Sequence, residues 1–112
     1  PGPDFGKTPR QTVDSLRGLP EICSLGCPVM LAVSRKDFIG AITRRPPSQR
    51  AAGTFAALAA GLDMGARVLR VHDVRGTVDF LKVRAALAGE EAVPPGLRIA
   101  EEIRREAPSS DA

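Results

Sequence analysis

The residues best suited to chemistry stand at the ends of two apolar runs. Val29–Val33 stops at Ser34-Arg35-Lys36, and the run from Ala66 ends in Arg70, His72 and Asp73. Lys36, Arg70 and His72 supply up to three cations, and the neighbouring carboxylates are Asp37 and Asp73. If the two runs are adjacent strands, these groups converge on one mouth beside a helix start, whose free N–H groups also favour anions. The ligand such a mouth suits is a phosphate or pyrophosphate. Each residue also has a structural explanation. Lys36 could be a solvated loop residue and His72 a strand-end cap, and Asp73 is best read as a brace for the turn. Arg70 is harder to dismiss, because it interrupts an apolar strand between Leu69 and Val71. No nucleophilic triad, Walker loop or dinucleotide fingerprint is present in the sequence.

The elements that must position these groups can be read in order. Pro1–Lys7 is rich in turn formers and predicts a loop, which implies a strand before it. Thr8-Pro9-Arg10-Gln11 predicts a helix start with a capping box, carrying Val13 and Leu16 to a stop at Gly18 and Pro20. Pro20–Leu25 adds a further turn. Val29–Ser34 predicts a strand with Met30, Ala32, Ser34 and Lys36 on one face and Val29, Leu31, Val33 and Arg35 on the other. Both faces are apolar, as in a parallel strand buried on both sides. Asp37–Gln49 predicts a loop opening with at most a turn of helix, and its Arg44-Arg45-Pro46-Pro47 reads as a solvated basic segment, with a lid over an anion as the alternative.

Ser48 is the expected cap of a helix over about 49–63, whose small residues allow close approach to a sheet, with Phe55, Leu58 and Leu62 on one face. Arg67–Val71 is the second strand. A helix over about 77–88 follows, with Val78, Leu81, Ala85 and Ala88 as its stripe and Gly89 as its end. Residues 90–96 read as a linker, 97–106 as an amphipathic surface helix and 108–112 as a disordered tail. Two βα units with polar groups at the strand ends predict an α/β fold, part of a parallel sheet or barrel that binds ligands at the carboxyl ends of its strands.

Bulk properties narrow the function. The 112 residues carry 16 basic and 13 acidic side chains, a net +3 that is too balanced to argue for nucleic acid. There is no Trp or Tyr and only four Phe, so the core is expected to be aliphatic. No apolar run approaches the ~20 residues of a membrane span. Cys23 and Cys27 are too few for a zinc site and read as reduced thiols at a packing face, in keeping with a cytoplasmic protein.

Three ordered motifs resemble a known family. SRKDFIG at Ser34–Gly40, RVHDV at Arg70–Val74 and PGPDFGKT at Pro1–Thr8 are similar to the C-terminal part of dihydropteroate synthase, the opening matching a DPGxGFGKT loop without its Asp. The resemblance runs from Pro1 to about Gly89 and implies the last two strands and flanking helices of a (β/α)8 TIM barrel. It implies condensation of 6-hydroxymethyl-7,8-dihydropterin pyrophosphate with p-aminobenzoate, giving 7,8-dihydropteroate and pyrophosphate, with sulfonamides competing. Lys36 would then meet the pterin and border the aminobenzoate site. Arg70 and His72 would hold pyrophosphate, and Ser34, Arg35 and Phe5 would flank the aminobenzoate. Mg2+ is implied as cofactor, with its ligand upstream. A homodimer is implied for the whole protein, with no nucleic-acid or membrane partner.

Two positions depart from the family pattern. Asp4 replaces the loop glycine, adding a carboxylate near an anionic co-substrate, and Ala32 replaces the glycine under the pterin. The wording LAVSRKDFIGA and the added tail are more similar to the divergent second copy of some actinobacteria. A barrel of this kind needs roughly 250 residues, so these 112 residues alone are expected to be inactive. The alternative reading is a non-catalytic paralogue that binds a pterin or another phosphorylated ligand. A different pterin-binding barrel, such as a methyltransferase, and a generic phosphate-binding βα module are further readings.

Overall fold

The computed structural model describes residues 3–104. The chain divides into two units, Pro1–Phe80 and Leu81–Ala112. In the first unit, helices α1 (Pro9–Arg17) and α2 (Leu19–Cys23) precede strand β1 (Met30–Leu31). Helices α3 (Asp37–Thr43) and α4 (Ala51–Asp63), strand β2 (Val68–Leu69) and the start of α5 (Val74–Leu87) follow. β1 and β2 pair in parallel, Met30 with Val68 and Leu31 with Leu69. The α/β class and the parallel pairing are as expected, but the ladder is two residues long in each strand.

The core joins both strands to the helices through Leu19, Leu31, Val33, Phe38, Ile39, Leu58 and Ala66. It is aliphatic apart from Phe38, with Phe55 and Phe80 stacked at its edge, their centroids 5.4 Å apart. The opposite face of the sheet is open. Met30 is 59% exposed and Val68 43%, so burial on both sides does not occur within the described residues.

Small residues of α4 do allow close packing. A Cβ on Gly61 would stand 2.2 Å from Leu31 Cδ2, and one on Gly53 would stand 2.4 Å from Ile39 Cγ2. The capping box of α1 forms as predicted, with Thr8 and Gln11 exchanging bonds of 2.9 and 3.2 Å. Of the two cysteines, Cys23 packs against the core edge and Cys27 is exposed.

Four expectations change. Residues 37–43 form a seven-residue helix rather than a loop, because Phe38 and Ile39 are buried and the helix start is capped from elsewhere in the chain. Ser48 does not cap α4; it lies in a 3-10 turn, Pro47–Gln49, and Arg50 takes the cap position. α5 begins at Val74, and the residues it buries most in the first unit are Thr77 and Phe80, while Val78 is exposed. Asp73 starts the helix early by accepting from Gly76 and Thr77, and stacking of Phe80 on Phe55 at the core edge accompanies the face that turns inward.

The fourth change falls in the second unit. Residues 97–100 are not helical, a 3-10 turn forms at Glu101–Ile103, and residues 105–106 of the expected helix lie outside the described residues. Leu97, Ile99 and Ile103 stay exposed, and a short helix without a packed face is marginal in water. α5 closes on Gly89 at φ +77, with the Glu90 N–H reaching back to the Ala85 carbonyl. The predicted tail, 108–112, lies outside the described residues. Among the described residues, no helix is long and apolar enough to cross a membrane.

Candidate functional site

Of the expected strand Val29–Ser34 only Met30–Leu31 forms the ladder, and the chain closes into a tight turn before Lys36. The Lys36 N–H donates to the Val33 carbonyl at 3.2 Å, and Arg35 sits at φ +58. A left-handed conformation in a non-glycine residue costs about 1–3 kcal/mol and persists only where neighbours over-determine it. Two side chains from the start of α4 do so. Thr54 Oγ1 accepts the Arg35 N–H at 3.0 Å, and Arg50 donates to the Arg35 carbonyl at 2.8 Å. Arg50 is buried and also donates to the Arg45 carbonyl at 2.9 Å and to the Asp37 carboxylate at 3.0 Å. Its guanidinium lies over Gly40, where a Cβ would stand 2.2 Å from a guanidinium nitrogen.

The two strand ends meet at Ser34 and His72. The 38-residue offset that pairs Met30 with Val68 also pairs these two. Ser34 is buried, its Oγ lies 2.7 Å from His72 Nδ1, and it accepts the His72 N–H at 3.3 Å. The ring is thereby held at Nδ1, which leaves Nε2 as the atom available to a ligand. Arg70 precedes His72 by two residues, its side chain is exposed, and its N–H donates to the Leu31 carbonyl at 3.0 Å.

Lys36 lies on the other side of the turn, half-buried, with Nζ 4.7 Å from the ring centroid of Phe5. This distance is within cation–π range. Asp4, next to Phe5, does not present a bare carboxylate to the site. Its two oxygens accept the N–H groups of Asp37 and Phe38, the latter at 3.1 Å, at the start of α3. Asp73 likewise serves its own helix. Its Oδ1 accepts the Gly76 N–H at 2.8 Å and its carbonyl accepts the Thr77 hydroxyl at 2.7 Å.

The structure thus brings together Ser34 with His72 and Lys36 with Phe5, while Arg35 and Arg70 join the same strand-end region through the backbone. Two hollows flank it. A cavity of about 40 Å³ beneath Ser34, Thr54, Asp73 and Thr77 has room for water but not for a bicyclic ligand. A groove of about 230 Å³ is lined mainly by apolar side chains such as Leu16, Leu19, Ile22 and Met30, with Lys7 and Ser15 as its polar members. Neither hollow is a complete substrate pocket.

Arg50, Thr54 and Thr12 are the positioning residues that sequence reasoning missed. One signal was available for Arg50. A cation at a helix N-terminus opposes the helix dipole and needs a specific reason to be there. Thr54, four residues on, shares its face.

Comparison with known proteins shows the family of the chain. Residues 1–72 match the family described as pterin binding enzyme, and the chain belongs to that family. It is 43% identical over 84 residues to the dihydropteroate synthase of Haemophilus influenzae and 38% identical over 96 residues to that of Bacillus subtilis. These matches cover 75% and 86% of this chain but 30% and 34% of the relatives, so the chain spans about a third of their length. Among solved structures, the Xanthomonas albilineans dihydropteroate synthase in complex with 7,8-dihydropteroate superposes with a TM-score of 0.74 at 47% identity, covering 84% of this chain and 35% of that one. The Thermus thermophilus enzyme superposes with a TM-score of 0.74 at 43% identity, covering 78% of this chain and 36% of that one.

Proposed function

We propose that the chain is part of a dihydropteroate synthase, and that residues 1–89 contribute the last two βα units of its eight-stranded barrel. The observation that carries this reading is the Ser34–His72 pair. It continues the strand register and engages the ring at Nδ1, with His72 two residues after Arg70 in sequence and Ser34 two residues before Lys36, whose Nζ meets Phe5. The substrates are a dihydropterin bearing a pyrophosphate on its exocyclic methylene, and p-aminobenzoate. The methylene C–O bond breaks, its electrons leave with pyrophosphate, the amine nitrogen forms the new C–N bond, and the nitrogen gives up a proton. Arg70 and His72 stabilise the charge that gathers on the departing pyrophosphate. Lys36 anchors the pterin side, and Phe5 presents an aromatic face to the aminobenzoate ring.

Magnesium finds no ligand set here. The described residues hold no group of three His, Cys, Asp or Glu side chains able to bind a metal. At the mouth the carboxylates of Asp37 and Asp73 are engaged by Arg50 and by the Gly76 N–H, and the remaining groups are cations and the Ser34 hydroxyl, whereas Mg2+ takes hard oxygen ligands. A magnesium ion in the proposed reaction would take its protein ligands from outside these residues, and no step is assigned to it. A homodimer is likewise proposed for the whole protein, with light scattering as its test.

The reading is tested by giving the full-length protein both substrates and measuring pyrophosphate and dihydropteroate. Equal amounts of both products are expected. Tight pterin binding without turnover would instead favour the non-catalytic paralogue, for which Ala32 is the specific evidence. An added methyl under the pterin overpacks its floor at about 1–3 kcal/mol. Recovery of turnover in Ala32→Gly would trace the loss to that methyl.

A further inference from the structure

We propose that Asp4 is a positioning residue that locks the Phe5 loop across Lys36 and so prepares the aromatic half of the site. The inference rests on the reading above and concerns its aminobenzoate side. α3 starts without a cap of its own, because Lys36 at the cap position makes no side-chain hydrogen bond to the helix. The carboxylate of Asp37 in the first turn is engaged by Arg50. The helix's free N–H groups are met instead by a carboxylate 33 residues earlier, through Asp37 N–H and Phe38 N–H to Asp4. An anion at that place is favoured twice, by hydrogen bonding and by the helix dipole.

Asp4 is also held from its other side. Its N–H donates to Oγ1 of Thr12 at 3.3 Å, and Thr12 is fully buried in α1. Its φ of +72 lies in the left-handed region, which Asp tolerates better than most residues. The residue therefore bolts the loop to both α1 and α3. Phe5 follows directly, with Lys36 Nζ over its ring and 64% of the residue open to solvent. A glycine at position 4 would keep the turn but lose the bolt. Phe5 would then be ordered only when ligand binds, and fixing loop residues costs free energy at that moment. The expected signature is selective, weakening the aromatic amine site and sparing the pterin pyrophosphate site.

The experiment compares Asp4→Gly and Asp4→Asn with the wild-type full-length protein by two readouts. The first is amide hydrogen exchange at Asp37 and Phe38, which needs no activity. Exchange about tenfold faster in Asp4→Gly is expected, with Asp4→Asn between, since Asn keeps one acceptor oxygen. The second is steady-state kinetics. KM for p-aminobenzoate is expected to rise about tenfold, with kcat and the KM for the pterin pyrophosphate within about twofold. Unchanged exchange at both amides overturns the proposal, as does an equal rise in both KM values. If the wild type itself shows no turnover, the proposed function falls and so does the kinetic role of Asp4. The exchange data then decide the latch alone.

Discussion

At the end of β1 the turn Val33–Lys36 is held by Thr54 and Arg50 and the helix start that follows it by Asp4, residues 19, 15 and 33 positions from the atoms they bind. At the end of β2, Asp73 closes its own helix, bonding Gly76 three residues on and Thr77 four residues on. The first strand end is strained and held by several distant side chains, whereas the second has one distant side-chain tie, Ser34 to His72, and otherwise closes locally. Strain at φ +58 in Arg35 survives because its N–H and its carbonyl are both bonded to buried side chains. Damage should accordingly spread differently from the two ends. Loss of a distant support at the first end should disturb Ser34, Lys36 and the start of α3 together. Loss of the local cap at the second end should fray one helix turn.

The largest expected effect is Arg50→Met. It removes the buried guanidinium that bonds the Arg35 and Arg45 carbonyls and the Asp37 carboxylate, and hydrogen bonds from a charged group contribute about 1.5–3 kcal/mol each. A loss of about 3 kcal/mol in urea unfolding of the full-length protein is expected, with loss of pyrophosphate release. Gly40→Ala attacks the same support from below, since its Cβ would overlap the guanidinium. About 2 kcal/mol is expected from that overpacking, and a wild-type melting curve would show that Arg50 moves aside freely.

Ser34→Ala cuts the only side-chain bridge described between the two strand ends and frees the His72 ring. A fall of about tenfold in kcat/KM with modest loss of stability is expected. A shift in the Nδ1 and Nε2 nitrogen resonances of His72 would report the lost tether directly. The smallest effect is Asp73→Ala, which removes a helix cap and should cost about 1 kcal/mol while leaving turnover near wild type. A collapse of turnover there would mean that the second strand end is as strictly positioned as the first.

Legibility followed the range of the interaction. The capping box of Thr8 and Gln11, the brace role of Asp73, the Gly89 stop and the close packing of α4 could all be read, because each depends on neighbours in sequence or on one face of one helix. The pairing of Ser34 with His72 was half legible. Alternation put each on the right face, but their contact needed the strand register. The helix at residues 37–43 was not legible, because its cap comes from Asp4 and its burial from the core. Nor was the use of Arg50, which the sequence places in the first turn of a helix and the fold buries beside the Arg35 turn.

By itself the sequence determined the chemistry on offer. An aliphatic α/β chain carries a hydroxyl and cations at the ends of two apolar strands, in motifs similar to dihydropteroate synthase. Side-chain type and short-range spacing are sufficient for that much. Only the tertiary structure decided which of those groups are held, and by what. It set the 38-residue offset that seats His72 on Ser34, the buried arginine that sustains a left-handed turn, and the carboxylate of Asp4 on a helix it does not belong to. The physical reason is that hydrogen bonds and steric contacts act over a few ångströms in space, and separation along the chain does not reveal which residues come that close.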